Sequence, residues 1–269
     1  MSDSRAASLH ELRHLSARIK LNAVRMVAIQ GFGYLGQALS AADIFAALFG
    51  SGVMRLGHDR FVLSPGHYAV VFYAVAVELG LVDRRELESY GKDGALLEAI
   101  STERTPLIDL NCGSLGQGLS GAVGLALAAR LAGDDRRTFA FLSDGEMEEG
   151  QVWEAAMFAA HHRLAGLTAI IDANDSQVDG ALTSVTTIEP LADKWRAFGW
   201  QVDDIDGHDL GALVAALAAR APAQPRVLIA RTDILGRTKS LPRTVDGHFI
   251  KLDPSHAAAL VAELEASIA

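Results

Sequence analysis

The sequence predicts an α/β fold, a parallel sheet with helices on both faces. The main observation is that short apolar segments alternate with helix-length segments from residue 138 to residue 230, as in strands joined by crossover helices. Hydrophobic residues make up 50% of the chain, which is enough to bury a large core. The sequence has no repeats, low-complexity tracts or long linkers, so residues 1–269 are predicted to form one domain.

The first half of the chain is predicted to be mainly helical. Residues 9–29 carry apolar side chains at spacings of three and four, typical of an amphipathic helix. Residues 41–49 are predicted as a second helix, with Ser40 as its N-cap. The other elements predicted before residue 138 are a strand at 61–63, a buried helix at 68–79, an exposed helix at 83–90, a loop at 91–106 and a core helix, apolar all round, at 121–131.

The second half is predicted to be regular. Its strands are expected at residues 138–142, 167–172, 201–205 and 226–230, and its helices at 148–161, 191–198, 210–219 and 254–268. His161 and His162 end one of these helices, where a charged imidazole is favourable. Residues 236–250 are basic and show no periodicity, so they are predicted to form a loop at the active site.

Charge and composition exclude several classes of partner. A formal net charge of −9 argues against nucleic acid, which is bound through Lys and Arg. The sequence has no apolar run of 18 residues and does not start with a charged-then-apolar leader, so we expect neither a membrane span nor a secretory signal. A cytoplasmic location is expected. Cys112 has no matched base and is interpreted as a packing residue.

Two polar residues follow apolar strands at a spacing that predicts a metal site. Asp144 and Asn174 are 174 − 144 = 30 positions apart, about the length of one strand, helix, strand unit. Such a unit brings both side chains to the carboxyl edge of a parallel sheet, where α/β folds bind ligands. Both are hard oxygen ligands, suited to magnesium that holds a diphosphate. Gly145 precedes a helix predicted to start near Glu148, so its backbone can approach a phosphate closely.

This spacing and its flanking sequence resemble the diphosphate-binding motif of thiamine diphosphate enzymes and, more narrowly, the transketolase family. The resemblance covers nearly the whole chain. The segments that carry it, in the family's order, are residues 30–48, Leu-Ser-Pro-Gly-His at 63–67, Gly-Ser-Leu-Gly-Gln-Gly at 113–118, residues 144–150 with 174–180, and Asp-Gly-His at 206–208. Single-chain transketolases carry a second domain that binds the aminopyrimidine ring and supplies an activating glutamate. The resemblance therefore implies the free-standing diphosphate-binding half of a split enzyme.

The resemblance also implies a role for each matched residue. Asp144, Asn174 and the main-chain carbonyl of Ser176 would hold Mg²⁺, or Ca²⁺ or Mn²⁺ in its place. Gly113, Leu115, Gly116 and Gly145 would contact thiamine diphosphate, with Leu115 supporting its bent shape. His67 would line the cofactor and substrate channel, and His248 would correspond to a late histidine that reaches the diphosphate. Glu149, counted with the cofactor site, aligns with a glutamate at a dimer interface that links two active sites, and His208 with a residue that caps the following helix.

Three departures from the family pattern bear on the substrate. Ser143 replaces the first glycine of Gly-Asp-Gly, and Tyr34 replaces the first substrate-channel histidine. Residues 101–106 lack the family's second channel histidine. In sugar-phosphate transketolases these histidines contact donor hydroxyls, so their loss removes specific polar contacts.

The expected function is therefore that of a thiamine diphosphate-binding subunit in a two-component transketolase-like enzyme. It would transfer a two-carbon or acyl unit with a non-standard small-molecule donor or acceptor, in a biosynthetic pathway. Its partner would be a pyrimidine-binding subunit of the transketolase C-terminal type, and two copies of each would form a heterotetramer.

Other functions remain open at this point. An E1-like component that delivers an acyl unit to a lipoyl or carrier protein shares the cofactor motif. A degenerate subunit with only an assembly role is the non-enzymatic alternative, although Asp144, Gly145 and Asn174 are intact. The glycines at positions 31, 33 and 36 match a dinucleotide fingerprint, but they follow a helix instead of a strand, which argues against nicotinamide binding.

Overall fold

The computed structural model describes residues 7–221, 223–243 and 247–268. Its α-helices are α1 (Leu9–Gln30), α2 (Leu35–Gly50), α3 (Ala69–Glu78), α4 (Gly118–Leu131), α5 (Gly150–His161), α6 (Leu182–Val185), α7 (Leu191–Ala197), α8 (Leu210–Ala218) and α9 (Pro254–Ile268). Its strands are β1 (Phe32–Gly33), β2 (Arg60–Leu63), β3 (Leu110–Asn111), β4 (Thr138–Ser143), β5 (Leu167–Ala173), β6 (Ser176–Gln177), β7 (Gly180–Ala181), β8 (Gln201–Asp206), β9 (Arg226–Arg231) and β10 (Ile250–Lys251). Short 3₁₀ helices span Gly66–Tyr68, Arg84–Ser89 and Gly145–Glu148.

A six-stranded sheet with the order β3-β2-β4-β5-β9-β8 forms the centre of the protein, and its neighbouring strands are parallel. The β4–β5 register pairs Ser143 with Asp172. The residues that follow these strands, Asp144 and Asn174, therefore leave the sheet at the same edge. The predicted α/β class is confirmed.

Both faces of the sheet are covered by helices. Along β4, Phe139 and Phe141 belong to one buried cluster, whereas Ala140 and Leu142 belong to another, as expected for side chains that alternate between faces. The first cluster contains residues of α1, α2, α3, α8 and α9, and the second contains residues of α4, α5 and α7. Burial on both faces explains why the central strands are almost continuously apolar.

The start of α2 differs from the prediction. The helix begins at Leu35, so Ser40 lies inside it and does not cap it. Ser40 is fully buried, and its hydroxyl donates to Asp172 Oδ2 at 2.6 Å. The local capping pattern was misleading because a tertiary contact, which local spacing does not report, uses this hydroxyl.

Three other helical predictions need correction. Helix α4 begins at Gly118 and is not buried all round, since Leu131 is 76% exposed. Residues 84–89 form a 3₁₀ helix that Asp83 caps, with Leu87 packed inward. The helix predicted from Glu148 begins at Gly150, after the separate 3₁₀ turn.

His208 does not cap the helix that follows it. The side chain of Asp209 caps α8 by accepting from the backbone of Gly211 and Ala212. The buried His208 imidazole instead places Nδ1 2.7 Å from Asp43 Oδ2, and its Nε2 accepts from the backbone N–H of Asp233 at 2.9 Å. Its role is to join α2 to the segment after β9.

The segment after β9 reaches the start of α2. A Cβ added to Gly36 would lie 1.7 Å from the carbonyl oxygen of Gly247, so the two backbones are in close contact. Residues 244–246 of the predicted loop lie outside the described residues. Within the described ranges, no helix is both long and apolar enough to cross a membrane.

Candidate functional site

A cavity of about 470 Å³ lies at the carboxyl edge of the sheet. Seven of the residues predicted for the site line it: His67, Gly113, Leu115, Gly145, Glu149, Ser176 and His248. Its wall also contains Tyr34 and, from the β6–β7 hairpin, Gln177 and Asp179. Segments that are far apart in the sequence thus meet at the edge where ligands are expected.

Asp144 and Asn174 lie at adjacent strand ends beside this cavity, as the βαβ spacing predicts. Both are buried. Asp144 Oδ2 accepts from the backbone N–H of Asp175 at 2.7 Å, and Asp144 Oδ1 accepts from that of Gly145 at 2.9 Å. Asn174 Oδ1 accepts from the backbone N–H of Ser176 at 3.0 Å. The carboxylate of Asp144, after β4, is therefore hydrogen-bonded to the backbone that follows Asn174, after β5.

The electrostatics of this corner fit a divalent cation. Burial, followed by the nearby carboxylate of Asp172, raises the pKa of Asp144 to about 7. Asp172 is itself fully buried. Two desolvated carboxylates side by side are costly when both are charged, and a cation between strand ends would favour the charged forms. Hard oxygen donors are the ligand type that Mg²⁺ prefers.

Asp172 is a buried carboxylate at the centre of a hydrogen-bond network, and the sequence patterns did not indicate it as a site residue. Its Oδ2 accepts from the hydroxyls of Ser40 at 2.6 Å and Tyr68 at 2.8 Å, and its Oδ1 accepts from Thr232 at 2.5 Å. A signal was present in the sequence, because a carboxylate inside an apolar strand requires partners. Which residues would supply them could not be read from the sequence.

Three rings come together in the cavity wall. The ring centroid of Tyr34 lies 5.3 Å from that of His67 and 5.9 Å from that of His248. The centroids of the two imidazoles are 5.4 Å apart. Gln37 Nε2 is 2.9 Å from His248 Nδ1. The two predicted histidines are therefore brought together, and Tyr34, which was not among the predicted site residues, contacts both.

The protonation state of His67 limits the acid–base chemistry that its imidazole can perform. Burial lowers its pKa to about 3, with a contribution from the neighbouring His248. In the free protein His67 is therefore a neutral imidazole at physiological pH. It can donate a hydrogen bond to an oxyanion, whereas it is a weak proton acceptor.

Glu146 ties together three of the motif segments. Its Oε1 accepts from the Ser64 hydroxyl at 2.5 Å and the Gly116 backbone at 2.8 Å, and its Oε2 accepts from the Ser143 backbone at 3.1 Å. Burial raises the pKa of Glu146 to about 7 despite these bonds. Acidic residues are favourable near any helix start, so the sequence position of Glu146 does not indicate these partners. The structure shows a buried bridge between the segments that carry His67, Gly116 and Asp144.

The glycine-rich loop lies against the segment that contains Glu149. Gly116 has a φ of +81°, and a Cβ there would lie 2.7 Å from the Cβ of Glu149. Nothing lies within 4 Å of the position that a Cβ on Gly113 would occupy, so the cavity is open at this point.

Burial, followed by the Glu146 carboxylate, raises the pKa of Cys112 and disfavours its thiolate, in agreement with a packing role.

Comparison with known proteins identifies the family. The profile described as "Transketolase, thiamine diphosphate binding domain" matches residues 12–263. A putative uncharacterized transketolase family protein of Sinorhizobium fredii is 39% identical over 93% of this chain and 94% of its own length. The 6-deoxy-6-sulfo-D-fructose transketolase subunit SqwG of a Clostridium species is 37% identical over 95% and 96%. One of the subunits of an apulose-4-phosphate transketolase from Phocaeicola vulgatus is 33% identical over 74% of each chain.

Solved structures show the same fold. The transketolase of Campylobacter jejuni superimposes with a TM-score of 0.84 at 23% identity over 96% of this chain. A Pichia stipitis transketolase variant in complex with fructose 6-phosphate gives 0.80 at 25% identity over 97% of this chain. The chain spans 43% and 44% of the length of these two proteins. By the match to its profile and to full-length relatives, the chain belongs to the transketolase family and is one of its thiamine diphosphate-binding domains.

Proposed function

We propose that this chain is the thiamine diphosphate-binding subunit of a two-component transketolase-like enzyme that transfers a two-carbon ketol or acyl unit. The observation that carries the proposal is the position of Asp144 and Asn174 directly after the adjacent strands β4 and β5, beside the cavity. The names of two relatives support the two-component organisation, because both are called transketolase subunits and match this chain over most of their own length.

The metal and cofactor contacts are assigned to residues that line the cavity and to Gly116, Asp144 and Asn174, each of which is within two residues along the chain of a lining residue. Asp144, Asn174 and the carbonyl of Ser176 would hold Mg²⁺, or Ca²⁺ or Mn²⁺, and Gly145 and His248 would contact the diphosphate. Gly113, Leu115 and Gly116 contact the rest of thiamine diphosphate. When bound, the cofactor would supply the carbanion chemistry that activates a carbonyl compound and stabilises the fragment to be transferred.

The residues of this chain are proposed to bind and orient the reacting groups and to polarise an oxygen. His67, held neutral, donates a hydrogen bond to an oxygen on which negative charge develops. His248 is oriented by Gln37 and lies beside His67. Glu149 is exposed at the cavity rim, where it is suited to a subunit interface that links two active sites.

A non-standard donor or acceptor is the more specific part of the proposal. Tyr34 occupies the wall where sugar-phosphate transketolases carry a channel histidine, and it fills space beside both imidazoles. Two relatives are named for the unusual sugars 6-deoxy-6-sulfo-D-fructose and apulose 4-phosphate. The partner is a pyrimidine-binding subunit of the C-terminal type in a cytoplasmic heterotetramer that serves a biosynthetic pathway.

Calorimetric titration of the full chain with thiamine diphosphate tests cofactor binding. Heat of binding is expected with Mg²⁺ and not with EDTA, and Asp144→Ala should abolish it because an essential metal ligand is lost. Absence of heat from the wild-type chain, also with its partner subunit present, would support the degenerate assembly subunit instead.

Steady-state assays of the assembled pair test the substrate. With xylulose 5-phosphate and ribose 5-phosphate we expect rates far below those of an ordinary transketolase, because the channel histidine is replaced by Tyr34. Ordinary rates would overturn the non-standard donor or acceptor while leaving cofactor binding intact.

A further inference from the structure

The side-chain amide of Asn174 has its nitrogen surrounded by acceptors. Asn174 Nδ2 lies 2.9 Å from Asp172 Oδ2, 3.0 Å from the Tyr68 hydroxyl and 3.5 Å from the Ser40 hydroxyl. Its Oδ1 accepts one bond, from the backbone of Ser176, and an amide oxygen has two lone pairs. The two ends of the amide are therefore in different surroundings, with a carboxylate on the nitrogen side.

We infer that Asp172, together with the hydroxyl of Tyr68, is a positioning residue that fixes the Asn174 amide with its oxygen available to a divalent cation. This inference rests on the proposed cofactor site. A rotated amide would bring its oxygen against the carboxylate oxygen of Asp172, which offers no proton to a carbonyl. This contact between two acceptor oxygens would lose the charge-assisted hydrogen bond to Asp172 and would add repulsion between the oxygens.

Burial makes this preference strong. Asp172, Ser40 and Tyr68 are each at most 1% exposed, and Asn174 is 7% exposed, so water does not readily replace a lost bond. Asp172 is itself held by donors from three other segments: Ser40 in α2, Tyr68 after β2, and Thr232 after β9. The carboxylate cannot turn to follow the amide without breaking several bonds at once.

The Tyr68 hydroxyl has two roles in this network. Its single proton goes to Asp172 Oδ2 at 2.8 Å, so toward Asn174 Nδ2 it is an acceptor. Tyr68 follows His67 in the same 3₁₀ turn. That one turn therefore places an imidazole in the cavity wall and a phenol behind the predicted metal ligand. Partners that orient ligands in this way typically change metal affinity about 10- to 100-fold when removed.

Two variants separate the orienting role from the charge of Asp172. Asp172→Asn removes the charge and sets one amide against another. Tyr68→Phe removes one hydroxyl and leaves the charge. The matched control is Asp43→Asn, because Asp43 is another buried carboxylate that accepts from a serine and a histidine and does not contact Asn174.

Binding of Mn²⁺ to the full chain in the presence of thiamine diphosphate, followed by the EPR signal of free Mn²⁺, provides the measurement. Asp172→Asn is expected to weaken binding about 10- to 100-fold and Tyr68→Phe roughly 2- to 10-fold, whereas Asp43→Asn should bind as the wild type does. Thermal midpoints without ligand report whether each variant folds. If Asp172→Asn does not fold, Tyr68→Phe decides.

A second readout follows the amide directly. In ¹⁵N spectra, Tyr68→Phe should shift the side-chain amide resonances of Asn174 and leave those of Asn22, a buried asparagine bonded to Glu78, unchanged. Wild-type affinity for Mn²⁺ in both folded variants would overturn the positioning role alone. A wild-type chain that binds no Mn²⁺, also with its partner subunit present, would overturn the proposed cofactor site, and this inference with it.

Discussion

The phenol ring of Tyr34 lies against the imidazole of His67, with 5.3 Å between ring centroids and an interplanar angle of 48°. The same phenol meets Phe249 edge-on at 5.1 Å, so it is held on two sides. A bulky ring fixed in the cavity wall limits the shape of the substrate that can lie beside His67.

Tyr34→His is expected to shift donor preference. It restores an imidazole where sugar-phosphate transketolases have one, so kcat/KM for xylulose 5-phosphate should rise about 10-fold over the wild type, the effect of one or two hydrogen bonds. Tyr34→Phe keeps the ring and loses only the hydroxyl, so it should change this kcat/KM less. Steady-state assays of the assembled pair with xylulose 5-phosphate measure it, and an unchanged kcat/KM in both variants would exclude Tyr34 as a determinant.

His67 should stay neutral throughout the physiological range. Its pKa of about 3, which burial and then His248 lower, predicts a neutral imidazole in the free chain from about pH 5 to about pH 8. ¹⁵N shifts of the ring measure this state directly. A ring of His67 that titrates near pH 6.5 would contradict the assignment.

The contact of Gly118 with Ser64 should not tolerate a side chain. A Cβ on Gly118 would lie 2.4 Å from the Cβ and 2.6 Å from the Cα of Ser64, so Gly118→Ala must move the backbone. We expect a loss of about 1–3 kcal/mol in the free energy of unfolding. Gly124→Ala in the same helix meets nothing within 4 Å and should instead stabilise by up to about 1 kcal/mol. Urea unfolding compares the two, and equal effects would contradict the close contact.

Asp59 is expected to contribute to stability in a defined pH range. Burial would raise its pKa, but hydrogen bonds from Arg55 and from the backbone of Arg137 outweigh burial and hold it at about 2. Because the folded pKa is below the unfolded value, the stabilisation is fully present above about pH 4 and is lost as pH falls through 2.

Asp59→Asn tests this dependence. At pH 7 the variant should be less stable by about 2 kcal/mol, and the difference from the wild type should shrink between about pH 4 and about pH 2. Thermal unfolding at several pH values measures it. A difference that does not change with pH would show that the loss comes from packing, and not from the depressed pKa.

The second half of the fold and the pairing of strand ends could be predicted because both are local properties. Strand and helix periods are written in consecutive residues, and a spacing of one βαβ unit brings Asp144 and Asn174 to one edge. His67 and His248 could be placed in a common site only through the family resemblance, since nothing in their local sequence relates them.

The parts that could not be predicted depend on contacts between distant segments. Ser40 fits a capping pattern, yet its partner is Asp172, which lies 132 positions later. Glu146 fits a helix start, yet it bonds to Ser64 and Gly116. Apolar composition likewise did not reveal that Leu131 would lie at the surface. In each case the partners or the exposure of the residue depend on tertiary packing, which local sequence patterns do not report.

Locating the cation tests the proposed metal site most sharply. Anomalous diffraction from crystals grown with Mn²⁺ and thiamine diphosphate should place one ion within about 2–2.3 Å of side-chain oxygens of Asp144 and Asn174 and of the Ser176 carbonyl. His58, Asp134 and Asp135 offer ligand atoms within 4.8 Å of one another elsewhere in the fold and provide a competing position. An ion found only there, or thiamine diphosphate bound with no ion at Asp144, would contradict the proposal that Asp144 and Asn174 hold the metal.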